Sequence, residues 1–259
     1  MSGLDLLYGR NAVLEVLRAG RRRIYRIFLA AGVQQRGTVS EIITLASQAD
    51  IPVQPIERAS MDKMMPGTIH HGVMAEATPY PYVSLPDIHD AIEKKDSPAL
   101  LLVLDYIQDP QNLGTLLRTA EALAVDGIII PEHRAAGITP AVVNASAGAT
   151  EHARIARATN LVRAMKDLQA HGIWMIGLEK VENAPLHVQM DLTGPLGLVV
   201  GSEGKGMSRL VRETCDTFMQ LPMLGRVNSL NAAVAGSVAL YEVWRQRASR
   251  QQNPFWQKA

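Results

Sequence analysis

Short apolar runs alternate with amphipathic stretches along the whole chain, and glycine, proline or charged clusters punctuate them. In the first part, "RNAVLEVLRAG" has helical spacing and ends at Gly20, "IYRIFLA" reads as a strand, and "TVSEIITLASQAD" as a helix. Thr38 with Glu41 three residues on has the capping-box pattern. "IPVQPI" predicts a short strand, "RASMDKMM" a short helix and "HGVMAEA" a further strand. "TPYPYVSLPD", with three prolines and two tyrosines, reads as an extended linker.

The rhythm then changes. "ALLLVLDYI" is a near-continuous apolar run, the pattern of a strand buried on both faces. Helix and strand alternate after it: "NLGTLLRTAEALAV", "DGIIIP", "PAVVNASAGAT", "ARIAR", "NLVRAMKDLQAHG", "IWMIGLE", "LGLVVG", "MSRLVRETC", "TFMQLPM" and the long closing helix "SLNAAVAGSVALYEVWRQR". Such alternation implies α/β architecture with a mostly parallel sheet, and such sheets bind ligands at the carboxyl ends of their strands. The expected organisation is a small α/β domain over residues 1–77, a linker over 78–97, a larger α/β domain over 98–248 and a tail over 249–259.

Composition narrows the function classes. At 259 residues, with 47% hydrophobic and 20% charged, the chain can bury a sizeable core. A net charge of +1 leaves nucleic-acid affinity to local patches. The single cysteine, Cys215, cannot form an internal disulfide, and no signal peptide or membrane span is visible, so a soluble cytoplasmic protein is expected. His70, His71 and His89 lack zinc-ligand spacing and read as linker or surface residues, so no metal is expected.

Three strand-to-helix junctions concentrate the chemistry. "LGLVVGSEGKGMSR" puts Gly201, Gly204 and Gly206 after a strand. It is not a Walker A loop, because position 199 is valine and position 206 is glycine, and its glycines run in the wrong order for a dinucleotide fingerprint. Alone, it is equally a ligand-free turn. "DPQNLGTLLR" places Asn112 where a helix begins and Arg118 four residues after Gly114 on one helix face. In "LPMLGRVNSLNAAVA", Ser229 or Asn231 can cap the long helix. Glu203, inside the glycine loop, suits the dipole of the following helix. Each residue has a plain structural role, but three polar clusters at strand ends in one domain point to a site.

Together the three segments, in this order, resemble the three motifs of the SpoU (TrmH) family of RNA 2′-O-ribose methyltransferases, of the SPOUT class. The likeness covers the whole chain. "LYGRNAV" and "HHGVMAEA" are similar to parts of the family's substrate-binding domain, which has a ribosomal-protein-like fold. The likeness is nearest to bacterial enzymes that methylate a guanosine ribose of 23S rRNA. It implies S-adenosyl-L-methionine as cofactor, a trefoil knot in the C-terminal part of the catalytic domain, and a homodimer through that domain. It implies Asn112, Arg118, Glu203, Ser229 and Asn231 as catalytic residues, and Gly201, Glu203, Gly206, Leu221, Leu230 and Asn231 around the cofactor. Asn228 departs from the serine that close relatives often carry before "SLN".

A guanidinium stays protonated in proteins, so Arg118 is expected to grip a phosphate and stabilise developing alkoxide charge rather than act as a simple base. Gly201 is expected to let the backbone approach the adenosine closely. "RAGRRRIYR" gathers Arg18, Arg21, Arg22, Arg23 and Arg26 around Tyr25; elsewhere a solvated turn, in an RNA enzyme it is a phosphate grip with a stacking surface. Alternatives are the same chemistry on tRNA, another rRNA site as in resistance methyltransferases, or a catalytically silent RNA-binding ribosome-assembly protein. A nicotinamide oxidoreductase is disfavoured by the glycine order.

Overall fold

The structure, a computed structural model, describes residues 3–250. The tail with Phe255 and Trp256 lies outside the described residues. The chain forms two compact units. One takes the chain through Pro81 with Leu113–Arg118 and Gly137–His152; the other takes Tyr82–Asn112, Thr119–Ala136 and the chain from Ala153 onward.

The first unit is built in the order β1 (Asp5–Tyr8), α1 (Arg10–Ala19), β2 (Ile24–Ala30), α2 (Thr38–Gln48), β3 (Val53–Ile56), α3 (Arg58–Met64) and β4 (Val73–Ala77). Its sheet runs β1-β4-β2-β3, antiparallel except for the β2–β3 pair. Strand β1 is absent from the pattern reading, because four residues directly before a helix carry no visible period. Leu7, Val13, Ile27, Ile42, Met61 and Met74 fill the core. Thr38 is the first helical residue of α2 rather than its cap, and Gly37 stands at the cap position with no side-chain hydrogen bond. His70 is neither linker nor surface: it is buried, its Nδ1 accepts from the Gly72 N–H, and its Nε2 pairs with Asp62 at 2.9 Å. At Gly9, φ is +93° and a Cβ would fall 2.3 Å from Asn144 Nδ2, which donates to the Tyr8 carbonyl at 3.1 Å. Only glycine fits there.

Arg22 is the ionic centre of this unit. Its side chain is fully buried, pairs with Asp5 and with the equally buried Glu151 (3.3 Å), and donates from Nε to the Thr78 carbonyl at 2.8 Å. Burial raises the Glu151 pKa, and Glu151 Oε2 has no partner among the described residues.

The second unit contains α4 (Leu85–Glu93), β5 (Leu100–Leu104), the two ends of α5 (Pro110–Ala122), β6 (Gly127–Pro131), β7 (Ile155–Ala158), α7 (Leu161–Ala170), β8 (Trp174–Leu178), β9 (Leu196–Val200), α8 (Arg209–Thr214), β10 (Thr217–Met219) and α9 (Ala232–Arg250); Leu113–Arg118 of α5 and the short helix α6 (Pro140–Ala145) belong to the first unit. Six parallel strands lie in the order β10-β8-β9-β5-β6-β7. The expected extended linker is helical over α4, started by a Ser84–Asp87 capping box. Buried Ile88 of α4 packs on Gly127, where a Cβ would meet it at 2.6 Å.

Helix α9 spans this sheet. Near its end, part-buried Arg247 donates to the carbonyls of Pro98 (2.8 Å), Ala99 (3.0 Å), Leu192 (3.4 Å) and Gly194 (2.7 Å), beside the starts of β5 and β9. These carbonyls offset the desolvation that lowers its pKa.

Two outcomes follow from burial. Arg22→Ala strands two carboxylates and should cost about 3–5 kcal/mol in urea unfolding, whereas Arg23→Ala, on the surface, should stay within about 0.5 kcal/mol; equal costs would contradict the assignment. Burial pushes the Cys215 thiol up to about 12. It therefore stays protonated at pH 8, and native protein should resist iodoacetamide that labels the unfolded chain readily.

Candidate active site

Strands β5, β9 and β8 end side by side: Leu104 pairs with Val200, and Val200 with Leu178. The chain runs from β5 outward to β6 and β7, then returns to the other side of β5, so the β5–β9 boundary is a topological switch point, where such sheets open a crevice. Asp105, buried directly after β5, fixes that edge. Its N–H donates to the Val200 carbonyl at 2.9 Å, and its carboxylate accepts from the Ser208 N–H at 2.6 Å.

The glycine loop begins there and closes on itself. Ser202 and Gly206 exchange backbone hydrogen bonds of 3.0 Å each. Gly204 and Gly206 have φ of +78° and +64°. A Cβ on Gly201 would lie 2.3 Å from the Gly206 carbonyl carbon and 2.4 Å from the Met207 nitrogen. Close approach is indeed what Gly201 provides, but the approaching backbone is the loop's own.

The opposite wall is the chain entering α9. Asn231 Oδ1 accepts from the Ala233 N–H (3.0 Å) and the Val234 N–H (3.1 Å), capping the helix. Its Nδ2 donates to Asn112 Oδ1 at 2.8 Å and to Glu203 Oε1. Glu203 Oε1 also accepts from the Ala232 N–H at 3.3 Å, so the helix start it sits on is that of α9, not the following helix. Asp109, not Asn112, caps α5, accepting from the Gln111 (3.3 Å) and Asn112 (3.2 Å) N–H groups. The Asn112 side chain is thereby left for Asn231.

A pocket of 650 Å³ lies between the two loops. Gly201, Glu203, Gly206, Ser229, Leu230 and Asn231 line it, and Leu221 lines a smaller pocket of 180 Å³ that shares Ser229 and Leu230. Glu179 and Lys180, just after β8, line both. Glu179 Oε1 pairs with Arg212 at 3.3 Å, while its Oε2 is buried without a partner among the described residues. The motif reading missed Glu179, Lys180 and Asp105, although each directly follows a strand, and that position was the available signal. Arg118 is exposed on α5 and has no carboxylate partner among the described residues.

The arginine cluster divides. Arg22 is structural. Arg18 is held by Glu15 (2.7 Å) and Glu41 (2.6 Å), and Arg26 by Glu76 (2.6 Å). Arg21 donates to the Glu151 and Pro81 carbonyls. Arg23 stays exposed, 4.9 Å over the Tyr25 ring, and both line an open groove of 680 Å³ with the ends of α1 and α2.

Two family models match. Residues 99–241 fit the SpoU rRNA Methylase family, and residues 6–83 fit the RNA 2′-O ribose methyltransferase substrate-binding family. The chain belongs to the SpoU family of RNA 2′-O-ribose methyltransferases. Within it, the chain is 42% identical over 243 residues to the TrmH-family protein YacO of Bacillus subtilis, covering 94% of this chain and 96% of that one. It is 40% identical over 250 residues to the 23S rRNA (guanosine-2′-O-)-methyltransferase RlmB of Pseudomonas syringae pv. tomato, covering 96% and 99%. The fold matches that of the SpoU methyltransferase AviRb from Streptomyces viridochromogenes, solved with AdoMet, at TM-score 0.78 and 24% identity over 95% of this chain and 92% of that one.

The loop geometry separates two glycines. Gly201→Ala forces the hairpin apart and should speed amide exchange at Ser202 and Gly206 by about tenfold or more. Gly204→Ala meets open space and adds only the strain of its positive φ, about 1 kcal/mol. Protection at Ser202 and Gly206 that survives Gly201→Ala would show that the loop does not need this approach.

Proposed function

We propose that the chain transfers a methyl group from S-adenosylmethionine to the 2′-hydroxyl of a ribose in RNA, and that the acceptor is a guanosine of 23S rRNA. The observation that carries this is the hydrogen-bonded Asn112–Asn231–Glu203 cluster at the 650 Å³ pocket, where residues of all three family motifs meet. The relative named for guanosine-2′-O methylation of 23S rRNA, aligned over 96% of this chain, supports the choice of acceptor.

The pocket suits the cofactor. Its volume is in the range of small-ligand sites, about 300–1,000 Å³. Leu178, Val200, Leu230 and Ala235 give it apolar wall, and the glycine loop presents bare backbone. Glu179 Oε2 is a buried acceptor with no donor among the described residues, and Glu179 and Glu203 line the pocket together with Lys180 and Lys205, so it offers both acceptors and donors to a zwitterionic ligand. When bound, S-adenosylmethionine supplies an electrophilic methyl on a sulfonium. Gly201, Leu221 and Leu230 hold the adenosine, while Glu203 and Asn231 keep the two loops closed around it.

A ribose hydroxyl attacks poorly until its proton leaves. Arg118, on the same helix as Asn112, grips the acceptor phosphate and stabilises the alkoxide as it forms; its fork permits two parallel hydrogen bonds, which lysine cannot make. Ser229 completes the polar rim. Arg23 and Tyr25, beside Arg21, serve as the RNA contact of the first unit; Arg18 and Arg26 are neutralised by Glu15, Glu41 and Glu76, and Arg22 is excluded by its burial.

We infer further that residues 1–77 act as the RNA-binding domain, 78–97 as the connection and 98–248 as the catalytic domain, consistent with the two family matches. The loops after β9 and β10 form the family's trefoil knot, a reading supported by the insertion of β9 between β8 and β5. The chain pairs with a second copy through α9, supported by exposed Val234 (46%), Val238 (42%) and Tyr241 (56%) at helical spacing on that helix. It works in the cytoplasm, where ribosomal RNA is found; among the described residues no helix is long and apolar enough to cross a membrane.

Mapping ribose methylation of 23S rRNA and tRNA with and without the protein tests the function: one guanosine in 23S rRNA should lose its mark. A lost mark confined to tRNA would overturn the acceptor assignment. Arg118→Lys should lower kcat by about 100-fold; a normal rate would refute the fork-grip role.

A further inference from the structure

A second pocket, of 460 Å³, shares the 202–206 loop with the first. Tyr106, Gln108, Arg134, Ser202, Glu203 and Lys205 line it. Two features set it apart. Among the described residues seven non-glycine residues have positive φ, and Tyr106 (+56°) and Arg134 (+61°) face this one pocket. Side chains larger than glycine persist in that conformation where the surroundings hold them, and such strain gathers at ligand clamps. The two are also tied together, since Gln108 Nε2 donates to the Arg134 carbonyl at 3.3 Å.

The second feature is the choice of groups. Tyr106 is half-buried and offers a ring face; Arg134 and Lys205 are exposed cations with no carboxylate partner among the described residues. Glu203, whose carboxylate accepts from Asn231 and the Ala232 N–H, is the only acid among the described residues of the lining, so the two cations outnumber it. An aromatic face, an amide and two cations form the set that recognises an unstacked nucleotide: the ring stacks on the base, the amide reads its edge, and the cations hold phosphate.

We propose that this pocket is the base-recognition subsite for the acceptor strand: a nucleobase flipped out of the RNA stacks on Tyr106, Gln108 reads its edge, and Arg134 and Lys205 hold the flanking phosphates. The proposal rests on the RNA-methyltransferase reading and adds the place where substrate specificity is set. Sharing Glu203 between the two pockets puts base recognition next to the cofactor, so only a base seated there brings its ribose to the methyl.

Tyr106→Gly gives a clean test because glycine relieves the positive φ. A purely structural Tyr106 predicts an unchanged or higher thermal midpoint and unchanged RNA binding. The subsite predicts the same midpoint behaviour, unchanged S-adenosylhomocysteine affinity by calorimetry, and about tenfold weaker binding of a labelled guanosine-centred RNA hexanucleotide. Tyr106→Phe should keep the affinity. Arg134→Gly should also weaken binding and reduce the salt slope by about one. Tyr106→Gly binding RNA like the parent overturns the subsite. Because binding is read without turnover, a parent protein that binds RNA through Tyr106 yet methylates none would sink the activity reading and leave the subsite standing.

Discussion

One amide holds the candidate active site together. Asn231 spends its oxygen on two backbone N–H groups at the start of α9 and its nitrogen on Asn112 and Glu203. Its orientation is therefore fixed: an amide turned over would set its oxygen against two acceptors and its NH₂ against two donors. Through it the first turn of α5, the loop after β9 and the entry to α9 become one assembly. Helix α9 is pinned at its far end by Arg247, which gathers four carbonyls beside the strand starts. The helix is thus fixed across the sheet at both edges, and the pocket wall it carries cannot drift from the glycine loop.

The glycine loop obeys the same constraint from the other side. Its hairpin and the Asp105–Ser208 bond bring backbone against backbone at Gly201, leaving no room for a side chain. The loop is thereby held as a tight hairpin whose Ser202, Glu203 and Lys205 line the pocket.

Much of this architecture was legible in the sequence. The apolar runs at Leu100–Leu104 and Leu196–Val200 are buried on both faces, as their lack of alternation implied. The segments that meet at the candidate site could be picked out because all three follow strands. What the sequence concealed were pairings between distant positions. Asn112 looked like a helix cap because Asn is a good cap, and only the structure shows Asp109 in that role. Arg22 looked like one of three equal surface arginines, and its buried partner Glu151 lies 129 residues away. His70 likewise gave no sign of Asp62 and Gly72 closing around it. The second half of the Pro-rich segment was hidden because its prolines outweighed a capping box and one buried isoleucine, Ile88.

The central claim is that Glu203 and Asn231 act as one unit in forming the cofactor pocket. It is tested most directly by calorimetric titration of S-adenosylmethionine into the parent protein, Glu203→Ala, Asn231→Ala and the double variant. A shared unit predicts that the double variant binds no more weakly than the worse single one, a coupling of about 1 kcal/mol or more. Losses that simply add would show two independent residues and contradict the account.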